Sequence, residues 1–341
     1  MKTEIVERVF FDTASSGHHA EFFENIIKFL DTKNSKKSIL IANPKLERRL
    51  IEFRNNNNSL IKLLFITTDQ VEFIKSAHGR VQSGFRELKV INTYLETYKP
   101  KHLVFLNLGV QMIPLYFYRF KHQISISGIY LNYPSFTDRT TSLRTKRKIL
   151  IRKLRQIINI YLMLCNKSVK KVFILNDKRI VTFLNTIFRN DKFEKITDPY
   201  PARSLVYDIN KQKGSSFSFL LIGQIEKRKG VLDFLEALER IENMPKKIKV
   251  FLMGPCSSDI SYGKRVIEKI KILSSLKISI EPSECFVDYK TLNEKLYYCD
   301  CVVALYKGHL ASSGMIGHAC RYNKPLLVSK EGFLGEYVNQ K

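Results

Sequence analysis

A short basic loop in the second half of the chain has the composition of a phosphate-binding segment. The run Phe217–Ile222 predicts a strand that leads to Gly223. The cations Lys227–Lys229 follow, and Gly230 opens an amphipathic helical pattern. Ammonium groups beside a helix N-terminus can bind a diphosphate through charge and through free backbone N–H groups. The same residues would also suit a solvated basic turn, and the pattern leaves both interpretations open.

A second candidate anion site lies at the start of a later helical pattern. Ser312, Ser313 and Gly314 are small residues that precede an apolar helical stretch. The first N–H groups of a helix lack intrahelical acceptors, and the helix dipole favours negative charge there. These residues could therefore bind an anion without a charged side chain.

The N-terminal loop that follows a predicted strand ending at Phe11 is a third candidate. Ser15–Gly17 is a run of small residues that permits close backbone approach to a ligand. His18 and His19 come next, and an imidazole can orient a hydroxyl or a phosphate. A pair that caps the following helix is the alternative interpretation. No metal is expected, because adjacent histidines in one loop lack an evident third ligand.

These candidates lie at the ends of strands in an alternating strand–helix pattern, which is typical of parallel sheets covered by helices. The strands predicted in the first half of the chain include Ser38–Ala42, Lys62–Thr67 and His102–Asn107. The pattern breaks at the proline-interrupted segment Asp198–Pro201 and the polar run Lys211–Ser216, and it resumes at Phe217. We therefore predict an α/β protein of two Rossmann-like domains, 1–200 and 201–341, that face each other across a cleft. In such sheets, ligand sites lie at the carboxyl ends of the strands.

The bulk composition narrows the classes of protein further. The 341 residues suffice for two domains, and the formal net charge of +25 indicates either polyanionic partners or a lysine-rich surface. Six cysteines show no Cys-x-x-Cys spacing, and Cys299 and Cys301 lie in an apolar run, which predicts buried thiols. Without an apolar signal core or a membrane-spanning run, we expect a cytoplasmic protein.

In their order and spacing, the segments between Phe217 and Val338 resemble the retaining glycosyltransferases of the GT-B fold, of the family 4 or group 1 type. That family has a strand, a glycine, an arginine and then Lys-Gly before a helix. Gly223 and Lys229–Gly230 match this pattern, and Gln224 stands at the arginine position. The resemblance further places Gly254 at the end of the next strand and Phe286 near the nucleotide base.

The third segment departs from the family at two positions. The family usually has two glutamates there, at the positions of Leu310 and His318. Some members instead have Ser-Ser-Gly at the helix start, which implies that Ser312–Gly314 cradles the diphosphate and that His318 bonds a ribose hydroxyl.

The resemblance implies transfer of a sugar, with retention, from a nucleoside-diphosphate sugar to a polysaccharide or lipid-linked saccharide. Lys229 and the N–H groups of the helix start would neutralise the leaving diphosphate, so no metal or other cofactor is expected. His18 and His19, in the loop that faces donor and acceptor, become the candidate catalytic residues. Tyr130 and Asn132 stand near a point where the family often has a catalytic histidine.

The segment Arg139–Lys171 contains eleven lysines or arginines and no acidic residue. Five apolar residues of this segment form one stripe along a predicted helix: Leu150, Leu154, Ile157, Ile158 and Tyr161. Four cations lie roughly on the opposite face of that helix: Arg144, Lys148, Arg152 and Arg155. Such a helix can lie on an anionic membrane, on the inner face of the plasma membrane for a cytoplasmic protein. The stripe could instead pack inward on the sheet while the cations face solvent or lipid.

Other functions stay open at this point. A sugar-nucleotide epimerase would need carboxylates for proton transfer, for which Asp288 and Glu226 are the loosely placed candidates. A non-catalytic, transferase-like partner subunit would fit Gln224, the absent glutamates and the end of the chain soon after Gly335–Val338. Specific nucleic-acid binding is not expected, because no recognised binding module is evident.

Overall fold

A computed structural model describes residues 6–15, 19–32, 36–54, 60–131, 143–199, 216–242, 247–256, 259–274, 276, 278–283, 289–307 and 313–339. The chain divides into two units, Met1–Arg203 and Ser204–Lys341, each built around a parallel sheet.

The sheet of the N-terminal unit has seven strands in the described part of the chain. They are β1 Arg8–Phe11, β2 Ser38–Ala42, β3 Ile61–Phe65, β4 His102–Phe105, β5 Ser125–Ile129, β6 Val169–Leu175 and β7 Phe193–Ile196. The helices are α1 His19–Thr32, α2 Glu47–Phe53, α3 Thr68–Lys75, α4 Arg80–Tyr98, α5 Met112–Phe117, α6 Leu143–Leu164 and α7 Lys178–Phe188, with a 3-10 helix at Pro44–Leu46.

The strand order is β3-β2-β1-β4-β5-β6-β7, with parallel pairing throughout. Successive strands step outward from β1 in one direction and then, from β4, in the other. The carboxyl ends of β1 and β4 therefore form the switch point, where open α/β sheets leave a crevice for ligands.

The C-terminal unit repeats this arrangement in a smaller sheet. Its described strands are β8 Phe217–Ile222, β9 Ile248–Met253, β10 Ile278–Ser283, β11 Cys301–Ala304 and β12 Leu326–Val328. Its helices are α8 Val231–Glu239, α9 Ile260–Ser274, α10 Tyr289–Tyr298, α11 Gly314–Arg321 and α12 Phe333–Asn339, with a 3-10 helix at Lys227–Lys229. The order β10-β9-β8-β11-β12 places its switch point between β8 and β11.

Alternate residues of the central strands enter cores on opposite faces of this sheet. Leu220 and Val302 belong to one buried cluster, and Leu221 and Val303 belong to the other. Burial on both faces explains why these strands read as continuous apolar runs rather than as alternating ones. Cys299 is fully buried, which confirms the prediction of buried thiols for this run.

The α/β class with two parallel sheets is confirmed, while some predicted strand ends were wrong. The strand predicted at Lys62–Thr67 ends at Phe65, because Thr67 caps α3 in a reciprocal capping box with Gln70. The strand predicted at His102–Asn107 ends at Phe105, and the residues beyond it turn toward the candidate site described below. In the described ranges, no helix has the length and apolarity needed to cross a membrane.

Candidate functional site

The carboxyl ends of β8 and β9 approach each other through two glycines. The N–H of Gly223 donates to the carbonyl oxygen of Met253 at 2.8 Å. Gly254 has a φ of 138°, and a Cβ atom there would lie 2.5 Å from the carbonyl oxygen of Gly223. Only glycine meets both requirements at position 254.

The ammonium group of Lys229 lies over this glycine edge. A Cβ atom at Gly223 would be 3.3 Å from Nζ of Lys229, and that Nζ is 4.1 Å from the ring centroid of Tyr306, which follows β11. A cation over an aromatic face gains roughly 0.5–1 kcal/mol at an exposed site. The adjacent Arg228 forms an ion pair with Glu226 at 2.5 Å, and its guanidinium carbon is farther from the same ring, at 5.9 Å from the centroid. Lys229 is therefore the cation that this loop holds above Gly223.

The basic loop is fixed to the chain that follows β11. Gly230 has a φ of 68°, and a Cβ atom there would lie 2.2 Å from the carbonyl oxygen of Leu305. The N–H of Lys307 donates to the carbonyl oxygen of Arg228 at 2.8 Å. This close approach holds the 3-10 turn and its cations at the switch point between β8 and β11.

The start of α11 belongs to the same edge of the sheet. Ser313 is the N-cap of α11, and its Oγ accepts a hydrogen bond from the N–H of Met315 at 3.3 Å. Gly314 is the first helical residue. Tyr306, whose ring faces Lys229, is buried in one cluster with Met315 and Ile316. The structure thus brings Lys229 and the α11 start to neighbouring strand ends of one sheet.

The remaining predicted residues of this unit have different positions. Gln224 is exposed in the loop after Gly223. His318 is 5% exposed, on the inner side of α11, so its contact with a ribose hydroxyl stays a prediction. Phe286 and Ser312 lie outside the described residues, as does His18 of the N-terminal unit.

A histidine–carboxylate pair occupies the switch point of the N-terminal unit. Asp12 follows β1 and is 4% exposed. Its Oδ2 lies 2.5 Å from Nδ1 of His19, the first residue of α1, and its Oδ1 accepts from the N–H of Ala14 at 3.0 Å. A carboxylate on Nδ1 fixes the tautomer of an imidazole and leaves Nε2 to exchange a proton. The structure thus gives the predicted His19 a partner that suits acid–base chemistry.

A second carboxyl group is buried close to this pair. Glu87 of α4 accepts hydrogen bonds from Oγ1 of Thr13, at 2.7 Å, and from Nε2 of Gln111. Burial, reinforced by the charge of Asp12, raises the pKa of Glu87 from 4.5 to about 7, although the two hydrogen bonds oppose the shift. Glu87 therefore retains its proton in much of the population near neutral pH.

These groups line a polar cavity of about 100 Å³ at the carboxyl ends of β1 and β4. The lining residues come from three segments: Phe11, Asp12, Thr13, Arg80, Glu87, Asn107, Gly109, Val110 and Gln111. The space suits a small hydroxyl-bearing group or a few water molecules, since water occupies roughly 30 Å³ in the liquid.

Tyr130 follows β5 and is 3% exposed. Its burial raises the pKa of the phenol, which is protonated at neutral pH, and the cation of Arg80 acts in the opposite direction. Tyr130 can therefore act as a hydrogen-bond donor, but not as a base, at this edge of the sheet.

Sequence reasoning missed Asp12 and Glu87, although each left a signal. Asp12 directly follows an apolar strand, at the position where α/β sheets place functional groups. Glu87 lies on the buried face of α4 that also carries Gly84, Leu88 and Ile91, which is an unusual place for an acid. In the described part of the chain, no group of three metal-binding side chains could hold a metal ion.

No protein-family model matches the chain, and no curated protein matches its sequence. Solved structures are similar to it in fold. HepE of Anabaena, in complex with UDP-glucose, has a TM-score of 0.60 at 14% identity, over 97% of this chain and 82% of that one. WaaG, a glycosyltransferase involved in lipopolysaccharide biosynthesis, has a TM-score of 0.60 at 12% identity, over 98% and 84%.

A UDP-N-acetylglucosamine 2-epimerase is similar as well, with a TM-score of 0.57 at 11% identity, over 97% of this chain and 81% of that one. At such identities the similarity establishes the shared α/β fold with two parallel sheets. The chain thus has the GT-B fold that these glycosyltransferase structures share.

Proposed function

We propose that this protein is a glycosyltransferase that uses a nucleoside-diphosphate sugar as its donor. The observation that carries the proposal is the position of Lys229 at the β8–β11 switch point, beside two glycine strand ends and the start of α11. Neighbours in fold include structures that hold UDP-glucose or UDP, which supports a donor of this class.

The diphosphate would bind between the Lys229 ammonium and the N-terminal end of α11, where the helix dipole favours negative charge. A charge-assisted hydrogen bond of this kind contributes roughly 1.5–3 kcal/mol. Gly223 and Gly254 place no side chain over the strand ends, so the phosphates can approach the backbone. His318, Phe286 and Ser312 complete the donor site in this proposal, through ribose, base and phosphate respectively.

Stabilisation of the departing diphosphate is the main catalytic task that we assign to the C-terminal unit. As the sugar–phosphate bond breaks, negative charge accumulates on the leaving oxygen, where a fixed ammonium and backbone N–H groups favour the transition state. These donors would replace a metal ion in the proposed reaction. Transfer with retention is part of the proposal and is tested by the anomeric configuration of the product.

The acceptor would offer a hydroxyl group to the N-terminal unit. There, His19 could orient that hydroxyl and take up its proton, with Asp12 holding the imidazole in place. His18, the neighbour of His19 in the sequence, stays a candidate for contact with the sugar. A polysaccharide or a lipid-linked saccharide is the proposed acceptor class, and the proposed site of action is the cytoplasm, on the inner face of the plasma membrane.

A sugar-nucleotide epimerase is the second candidate, and the structure favours it more than the sequence did. Asp12 and Glu87 line one cavity, and proton transfer to and from a sugar carbon needs such carboxyl groups. The carboxylates first considered serve less well: Glu226 pairs with Arg228, and Asp288 lies outside the described residues. The epimerase similarity in fold is compatible with this alternative.

The test is incubation of the full chain with UDP-, GDP-, ADP- and CMP-sugars, with and without saccharide and lipid-linked acceptors, followed by mass spectrometry and proton NMR. A larger acceptor together with free nucleoside diphosphate supports the transferase. A changed sugar without acceptor supports the epimerase. Tight binding of a sugar nucleotide without either product supports a non-catalytic partner subunit.

A further inference from the structure

Helix α6 carries a second apolar face, opposite the one that packs on the protein. Ile160 and Met163 are fully buried and attach the helix to the N-terminal unit. Five large apolar side chains instead point outward and are 48–66% exposed: Leu150, Ile151, Leu154, Ile158 and Tyr161. We call these five residues the outer face of α6. Of the two alternatives that the sequence left open, inward packing of the stripe is wrong for Leu150, Leu154, Ile158 and Tyr161, because Ile160 and Met163 fill the core instead.

The outer face is a continuous surface. At roughly 100° per residue, its five side chains occupy an arc of about 100° along more than three turns. Arg147 is exposed within the same arc, and Arg155 is exposed at its edge. Long cationic side chains at such positions can direct their charge past the apolar groups toward phosphate.

The positive charge of this region indicates which kind of partner binds the outer face of α6. The segment Arg139–Lys171 contains eleven cations and no acid, and the whole chain carries a net charge of +25. A second copy of the same face would oppose cation with cation, so self-association is disfavoured. Nucleic acid would satisfy the charge but would leave five exposed apolar side chains without a partner. An anionic bilayer surface satisfies both, because it offers phosphate and a hydrocarbon boundary at adjacent depths.

We propose that the outer face of α6 inserts into the headgroup region of an anionic membrane, with the helix axis parallel to the bilayer plane. The five apolar side chains enter the acyl boundary, and Arg147 and Arg155 contact lipid phosphates. This docking is independent of the glycosyltransferase activity, whereas its use, access to a lipid-linked acceptor, rests on the proposed function.

The test is co-sedimentation of the full chain, without nucleotide sugar, with vesicles of phosphatidylcholine alone or mixed with phosphatidylglycerol. The wild type should bind the mixed vesicles and should detach as salt is raised. The Leu154→Glu/Ile158→Glu double variant should bind at least about tenfold more weakly, since it places two carboxylates at the acyl boundary. Arg147→Gln and Arg155→Gln should each weaken binding about fivefold.

A matched control is Ile260→Glu/Ile267→Glu in α9, which changes two exposed apolar residues of a basic helix in the other unit. This control should bind as the wild type does. Circular dichroism melts of every variant separate lost docking from lost folding. Equal vesicle binding by the wild type and the α6 double variant would overturn the proposal. The proposal would also be overturned by a wild-type dimer that the α6 double variant abolishes, or by a wild type that binds RNA but not vesicles.

Discussion

Nδ1 of His19, the first residue of α1, lies 2.5 Å from Oδ2 of Asp12, which follows β1. The carboxylate is 4% exposed, and its other oxygen accepts the N–H of Ala14, so its position is fixed by the backbone. The pair defines one imidazole tautomer, with the proton on Nδ1 and the basic lone pair on Nε2.

Replacement of this carboxylate should lower the rate of transfer and leave donor binding intact. In Asp12→Asn, the amide can donate to Nδ1 and select the other tautomer, so we expect a loss of roughly 10²–10⁴ in kcat. Steady-state kinetics and a donor titration measure the two effects separately. His102→Gln, at the amino end of β4, is the matched control. A kcat unchanged in Asp12→Asn would show that the Asp12–His19 contact has no part in the mechanism.

Glu87 should make stability depend on pH. Its pKa is about 7 in the folded chain against 4.5 in the unfolded one, so the unfolded state releases its proton first as pH rises. The wild type should therefore lose up to roughly 3 kcal/mol of stability between pH 4.5 and 7 through this group. Glu87→Gln should not share this loss, because an amide does not ionise in this pH range. The amide can also keep both hydrogen bonds if the Thr13 hydroxyl rotates.

Urea unfolding of the wild type and Glu87→Gln across this pH range tests the expectation. The stability of the variant relative to the wild type should rise from pH 4.5 to 7 and level off above it. A difference that does not change with pH would show that Glu87 ionises normally in the fold.

The ring of Tyr306 should position Lys229 for the donor. Tyr306→Leu removes the aromatic face 4.1 Å from the ammonium group, and a loss of roughly 0.5–1 kcal/mol corresponds to a two- to fivefold weaker donor affinity. Tyr306→Phe keeps the face and should bind the donor as the wild type does. Calorimetric titrations that give Tyr306→Leu and Tyr306→Phe the same affinity for the donor would argue against a role of the Tyr306 ring in positioning Lys229.

Gly230 should be required for the basic loop to fold. In Gly230→Ala, the added Cβ would meet the carbonyl oxygen of Leu305 at 2.2 Å in a left-handed conformation, so we expect a loss of about 1–3 kcal/mol in stability. Gly263→Ala in α9 has no atom within 4 Å of the new Cβ and should instead be slightly stabilising. Chemical denaturation of the two variants measures both changes in stability. A Gly230→Ala variant as stable as the wild type would contradict the close contact between Gly230 and Leu305.

The two-sheet fold was predictable because its central strands are buried on both faces. Ser38–Ala42 and Phe217–Ile222 are short apolar runs, and the observed strands have the bounds that the pattern indicated. The loop cations and the helix start could be found for the same reason, since each follows such a strand. The direction in which the α6 stripe points could not be predicted, because the sequence shows an apolar face without showing on which side of the helix the core lies.

The polar cavity was hidden by sequence separation. Thr13 and Glu87 are 74 positions apart, and Gln111 is 24 positions beyond Glu87, so their contacts exist only in the folded unit. A local pattern identified His19 but could not name Asp12 as its partner or give Glu87 a raised pKa. The Asp12–His19 contact and the raised pKa of Glu87 both arise where β1, α4 and the chain after β4 pack together in the folded unit.

The most direct test of the diphosphate site is an equilibrium titration of the full chain with UDP-, GDP-, ADP- and CMP-sugars. One of these donors should bind, and Lys229→Ala should weaken its binding by roughly 10- to 100-fold, as expected for one charge-assisted hydrogen bond. Lys227→Ala, exposed in the same 3-10 turn, should bind as the wild type does. Equal affinities for the wild type and Lys229→Ala would contradict the account.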